Sequence, residues 1–157
     1  MLKGYGKGSV PLLFWTSFSW GGSINLNKDS PEAIIEFPKT EAMMQRVLDL
    51  DEYYFYGGPH LFFGVSFGSR PAMFGGNLEK SKEHFDKAIN AYQRKFLMAL
   101  VMYAQVYAVQ AQDPQLFDSL LGEVVAADPA AMPEQRLANE LAVRRAKWLL
   151  EHKSLFF

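Results

Sequence analysis

The sequence predicts an all-α fold built from antiparallel helix pairs that repeat along the chain. Three observations predict it. Apolar residues recur at helical spacing in most segments, strong helix-start signals separate those segments, and no stretch alternates over the length of a strand. With 157 residues the chain is expected to form one domain, 1–157, long enough to bury a core. Its 49% hydrophobic content and net charge of −1 argue against a disordered chain and leave no nucleic-acid footprint. Without cysteine there are no disulfides or thiolate metal sites, and the compartment stays open. Thirteen Phe, seven Tyr and three Trp are more aromatics than a single core hides, which predicts an exposed apolar patch, a groove or a subunit interface.

The elements follow in order. "GYGKGS" (4–9) lacks the spacing of a phosphate-binding loop, so residues 1–9 read as a flexible tail. The apolar run after it is interrupted by Pro11, Thr16, Ser17 and Ser19, which favours a first structural helix over a signal peptide. Ser30-Pro31-Glu32 opens a second helix whose face includes Thr40, Met44 and Val47. The segment "NLNKDSPEAIIE" (25–36) sets Asn25, Asn27, Asp29 and Glu36 at calcium-loop offsets. It lacks the glycine and the leading aspartate, and a helix start accounts for the polar cluster. Gly57-Gly58-Pro59-His60 leads into an aromatic helix, and Asn77 can cap the next, which carries Ser81, Phe85, Ala88 and Tyr92. Leu97, Val101, Ala104, Ala108 and Ala111 mark a further face. The apolar stretch there (96–109) is broken by Gln105 and falls short of the ~18 residues that a membrane-spanning helix needs. Asp113-Pro114 is a strong start for a helix bearing Leu116, Leu120 and Val124, and the last helix begins near Pro133 with Leu137, Leu141 and Trp148 on one face.

The helices repeat in pairs. Thr40/Met44/Val47, Ser81/Phe85/Ala88 and Phe117/Leu121/Val124 have the four-then-three spacing of the second helix of a tetratricopeptide repeat. Their last members lie 41 and 36 positions apart, against a period of ~34 for that repeat. This predicts hairpins of tetratricopeptide type stacked into a short superhelix. The surplus in the first interval falls inside "SRPAMFGG" (69–76), an enlarged turn in the middle hairpin.

Gly57-Gly58-Pro59-His60, Arg70-Pro71 and Gly75-Gly76-Asn77, in that order, followed by "YAQVYAVQAQDPQLFDSLLGEVVAADP" and "RLANELAVRRAKWLL", resemble the T component of TRAP (tripartite ATP-independent periplasmic) transporters. The resemblance covers residues ~14–150 and extends the repeat argument. It implies a periplasmic helical lipoprotein that forms trimers and associates with the transporter's solute-receptor protein, a receptor class that handles carboxylate-bearing solutes. Members carry a lipoprotein signal and further helices upstream of the matched segment. The chain is therefore expected to be a truncated, mis-started or anchor-less form. The function that follows is a non-enzymatic accessory subunit for solute uptake, binding the receptor and a small apolar, amphipathic or carboxylate ligand. The alternative is a repeat scaffold that binds a peptide and has no transport role.

The candidate site residues come from the local chemistry. No histidine or carboxylate spacing suits a metal and no nucleophile stands in a catalytic context, so neither a cofactor nor an enzymatic activity is expected. His84 reads as an exposed helix residue. His60 follows the glycines and either fixes the loop by hydrogen bonding or contacts a ligand. Arg70, Met73 and Phe74 sit in the enlarged turn, where Pro71 and the glycines favour an ordered excursion that displays them. Trp20 and Phe63 belong to the aromatics of the expected first helices, which line the concave face in such repeats. Arg144 falls between Leu141 and Trp148 on an apolar face, where it either pairs structurally or meets an anionic ligand or partner.

Overall fold

The structure, a computed structural model, describes residues 2, 4–27 and 30–157. It is all-helical, with seven principal helices and no strand among the described residues. The chain divides into two compact units, residues 1–62 and 63–157, and each is described by itself.

In the first unit, α1 (Val10–Leu26) begins directly after "GYGKGS", with Pro11 in its first turn, where a missing N–H costs nothing. Residues 7–9 form a short 3-10 turn, and the Arg46 guanidinium donates two hydrogen bonds to the Tyr5 carbonyl. α2 (Pro31–Leu50) continues through Pro38. Contacts run from Tyr5–Arg46 through Ser17–Thr40 to Trp20–Lys39, the order of an antiparallel pair. At the crossing the Ser17 hydroxyl donates to the Thr40 carbonyl (2.8 Å), and the Thr40 hydroxyl donates to the Phe37 carbonyl (2.7 Å). Both hydroxyls are thus buried and satisfied, beside a core of Phe14, Met44 and Val47. Lys28 and Asp29 lie outside the described residues, and with them the centre of the calcium-loop spacing.

α3 (Tyr54–Ser69) opens with three left-handed residues, Phe55 (φ 46°), Tyr56 (φ 60°) and Gly57 (φ 75°), before the right-handed helix proceeds. Left-handed backbone costs a non-glycine residue roughly 1–2 kcal/mol. Ring packing offsets it here, with Phe55 4.7 Å from Trp15 and Tyr54 5.1 Å from Phe14. Gly58 admits the close approach of α1, since a Cβ there would lie 2.5 Å from the Phe14 ring.

The unit boundary falls between Phe62 and Phe63, within α3. In the second unit the end of α3 pairs with α4 (Leu78–Ala91): the Ser81 hydroxyl donates to the Gly64 carbonyl, and Gly68 faces Ser81 and Val106. α5 (Leu97–Met102) runs on into a π-helical stretch, Tyr103–Ala108, whose Tyr103 stacks on Phe85 at 4.9 Å. α6 (Pro114–Ala126) and α7 (Arg136–Glu151) complete the unit. Asn77 and Asp113 cap as expected, their side chains accepting from the Lys80 and Leu116 amides. All nine residues of the three repeat triplets are buried.

Leu137, Leu141 and Trp148 share one face of α7, and that face is turned to solvent: they are 75%, 50% and 48% exposed. α7 packs instead through Asn139, Ala142, Ala146 and Leu149. Two alanines on that side let α7 approach α5 and α6 more closely than large side chains would. One expectation is corrected: His84 is not on an exposed face but half-buried, its ring stacked against those of Phe63 and Phe67 (5.4 and 5.8 Å).

Candidate functional site

The enlarged turn is ordered by its own hydrogen bonds. Arg70 folds back on the end of α3, its Nε donating to the Ser66 carbonyl (2.9 Å) and its Nη2 to the Ser66 hydroxyl (2.8 Å). A cation placed on terminal carbonyls also complements the negative end of the helix dipole. Pro71 then starts a 3-10 turn, Ala72–Phe74, and its carbonyl accepts from both Phe74 (2.9 Å) and Gly76 (3.1 Å). Gly75 takes a left-handed conformation (φ 84°) beside the Arg70 guanidinium. Gly76 is required for a different reason, because a Cβ there would overlap the Arg70 carbonyl. The Asn77 amide returns to the Phe67 carbonyl (2.9 Å) and closes the excursion. At its tip Met73 and Phe74 are 82% and 65% exposed. The arrangement thus holds a cation at the base of the turn and two apolar side chains in water.

The other sequence-predicted residues are placed as follows. His60 is buried, its Nε2 3.3 Å from a Glu52 carboxylate oxygen and its ring 5.6 Å from that of Tyr53. It therefore ties the start of α3 back to the residues before the left-handed run. Trp20 is half-buried, with the Lys39 ammonium 5.9 Å from its ring. Phe63 is buried and stacks on Phe67 at 5.9 Å. Arg144 is exposed on the outer face of α7. Trp20 and His60 belong to the first unit, and Phe63, Arg70, Met73, Phe74 and Arg144 to the second. Only Arg70, Met73 and Phe74 share one short element.

Sequence reasoning missed two features. The first is Asn139, fully buried, which accepts from the Leu97 amide (2.9 Å) and donates to the Lys95 and Pro129 carbonyls (2.9 and 3.3 Å). The second is a hollow of about 280 Å³ lined by Tyr92, Gln93 and Lys95 on one side and Ala131, Met132 and Glu134 on the other. Left-handed Gln93 is among its lining residues, and the next residue, Arg94, also left-handed, is held by a two-point ion pair to Glu123 (2.7 Å each). No local signal reveals either, since both join segments about 40 residues apart. Among the described residues no group of His, Asp and Glu could hold a metal ion, and no helix is long and apolar enough to cross a membrane.

These features define an all-helical protein with an ordered turn that displays apolar side chains on its surface. The chain belongs to the TRAP transporter T-component family, whose model matches residues 1–157. It is also similar to an uncharacterized protein of Treponema pallidum (strain Nichols), 28% identical over 118 residues. That match covers 73% of this chain but only 36% of the relative, so the chain spans about a third of the relative's length.

Proposed function

We propose that the chain acts as a non-enzymatic accessory component of a TRAP-type solute uptake system on the periplasmic side of the membrane. It binds the solute-receptor protein of that system and a small apolar or amphipathic ligand. The observation that carries this reading is the match to the T-component family over the whole chain. Two further features support it. The repeat triplets are buried in the manner that tetratricopeptide-like stacking requires. Each unit exposes apolar side chains of the kind that a homotrimer or a receptor contact would use, Leu12, Trp15 and Phe18 in the first and Met73 and Phe74 in the second.

Within this reading the 70–76 excursion is the receptor- or ligand-contacting element, since a helix hairpin closes without it and extra loop length adds only ~0.6 kcal/mol per doubling. The test replaces residues 70–76 by a Gly-Asn turn and measures titration calorimetry against the TRAP receptor protein, with light scattering for assembly. Retained helicity with at least tenfold weaker receptor binding is the expected result. Undiminished binding would reduce the turn to filler. Absence of receptor binding by the parent protein would overturn the transport reading itself.

A further inference from the structure

α7 is apolar on two opposite faces. Asn139, Ala142, Ala146 and Leu149 pack inward, and half a helical turn away Leu137, Leu141 and Trp148 face water. A surface helix ordinarily buries one stripe and keeps the opposite face polar, so a second apolar stripe implies an occupant. The spacing says what kind. Positions 137, 141, 144, 148 and 151 step by four, three, four and three, the 3.5-residue period of a coiled-coil seam. Such a seam takes another helix, knobs into holes, in preference to a strand or a loop.

The charges narrow the occupant further. Arg144 sits in the middle of the seam, exposed, with no hydrogen bond or ion pair among the described residues. Two of its basic neighbours are already engaged: Arg136 pairs with Glu140 at 3.8 Å, and Arg145 donates to Gln105 at 2.7 Å. Trp148 is backed by the His152 ring at 4.5 Å, which makes it a broad, rigid anchor. Covering the seam with an apolar partner would bury an unpaired guanidinium, so a carboxylate must oppose it. A second copy of this chain fits poorly. Laid fully along the seam, it brings two uncompensated guanidiniums together. Slid until Glu151 faces Arg144, it leaves Leu137 and Leu141 beyond the end of the partner helix, which stops at Glu151.

We propose that the outer face of α7 (Leu137, Leu141, Arg144, Trp148) is a docking seam for one amphipathic helix of another protein, carrying leucine-like side chains and a carboxylate opposite Arg144. This goes beyond the receptor reading and does not depend on it, because the test uses no transport component. The probe is a synthetic helical peptide of about 18 residues with leucines in four–three spacing and one central glutamate, alongside its lysine counterpart. Substituting Trp15→Phe and Trp20→Phe leaves Trp148 the sole indole of the three, and its emission reports burial. The glutamate peptide should produce a saturable blue shift, the lysine peptide should bind at least tenfold more weakly, and Leu141→Asp should abolish the shift. Arg144→Glu should reverse the preference between the two peptides, a readout that altered stability cannot mimic. No shift with either peptide, or equal binding of both, overturns the proposal. Self-association of the protein alone that Leu141→Asp abolishes overturns it too, by assigning the seam to a second copy.

Discussion

Asn139→Ala tests how the second unit is held together. The Asn139 side chain is fully buried and makes three hydrogen bonds, to the Leu97 amide, the Lys95 carbonyl and the Pro129 carbonyl. The Leu97 amide is the critical partner. It lies at the start of α5, where an N–H has no acceptor within the helix, and the preceding Phe96 offers no side-chain cap. Truncation strands that donor at a residue 2% exposed, for about 1–3 kcal/mol. The Lys95 and Pro129 carbonyls border solvent-exposed segments and can recruit water, so each loss adds about 0.5–1 kcal/mol. The total is about 3 kcal/mol, and at roughly 2–4 °C per kcal/mol for a chain of this size Tm should fall by about 6–12 °C. Thermal melting by circular dichroism reads the shift, and hydrogen exchange at the Leu97 amide reads its location. Asn139→Asp keeps an acceptor for Leu97 but turns a carboxylate on two carbonyls. It should be at least as damaging at neutral pH and recover in acid, where a protonated carboxyl can donate. A fall in Tm of less than about 2 °C in Asn139→Ala, with Leu97 still protected from exchange, would refute the capping argument.

Two further outcomes follow from the backbone and from a buried phenol. Gln112 sits left-handed (φ 52°) at the end of the π-helical segment, where its amide bonds Val109 and that of Asp113 bonds Ala108, the position that favours glycine. Gln112→Gly should therefore stabilise the protein by about 0.5–1 kcal/mol, and an unchanged or lower denaturant midpoint would contradict the assignment. Tyr103 is buried against Phe85, and burial first, then the Asp86 carboxylate, hold its phenol well above the usual tyrosine range. A raised native value means that the folded state retains a proton which the unfolded chain releases above about pH 10. Tyr103 thus contributes full stability below that pH and loses it progressively as the pH rises toward its native value. Tyr103→Phe should flatten the alkaline arm of the stability curve, and an identical arm in both proteins would show that Tyr103 ionises normally.

The sequence by itself determined the helices and most of their starts. Asn77 and Asp113-Pro114 act within one turn of chain, so the cap and the helix it starts are legible together. The triplets were legible for a similar reason: helical periodicity already says that Thr40, Met44 and Val47 share a face. Helix ends were harder, because Gln93 and Gln112 occupy the left-handed positions where glycine would have been a signal. The enlarged turn could be located from the repeat period, and Pro71, Gly75 and Gly76 foretold its order. Folding of Arg70 onto Ser66 needed coordinates. What only the tertiary structure decided is which of two apolar faces a helix buries. Leu137, Leu141 and Trp148 outweigh two alanines in hydrophobicity, yet the alanine face is inside, because close approach of three helices depends on small volume at the contact and not on transfer energy alone. Asn139 belongs to the same category. A cap supplied from α7 to the start of α5 spans 42 residues, and no local pattern encodes a partner that only packing brings within hydrogen-bond reach.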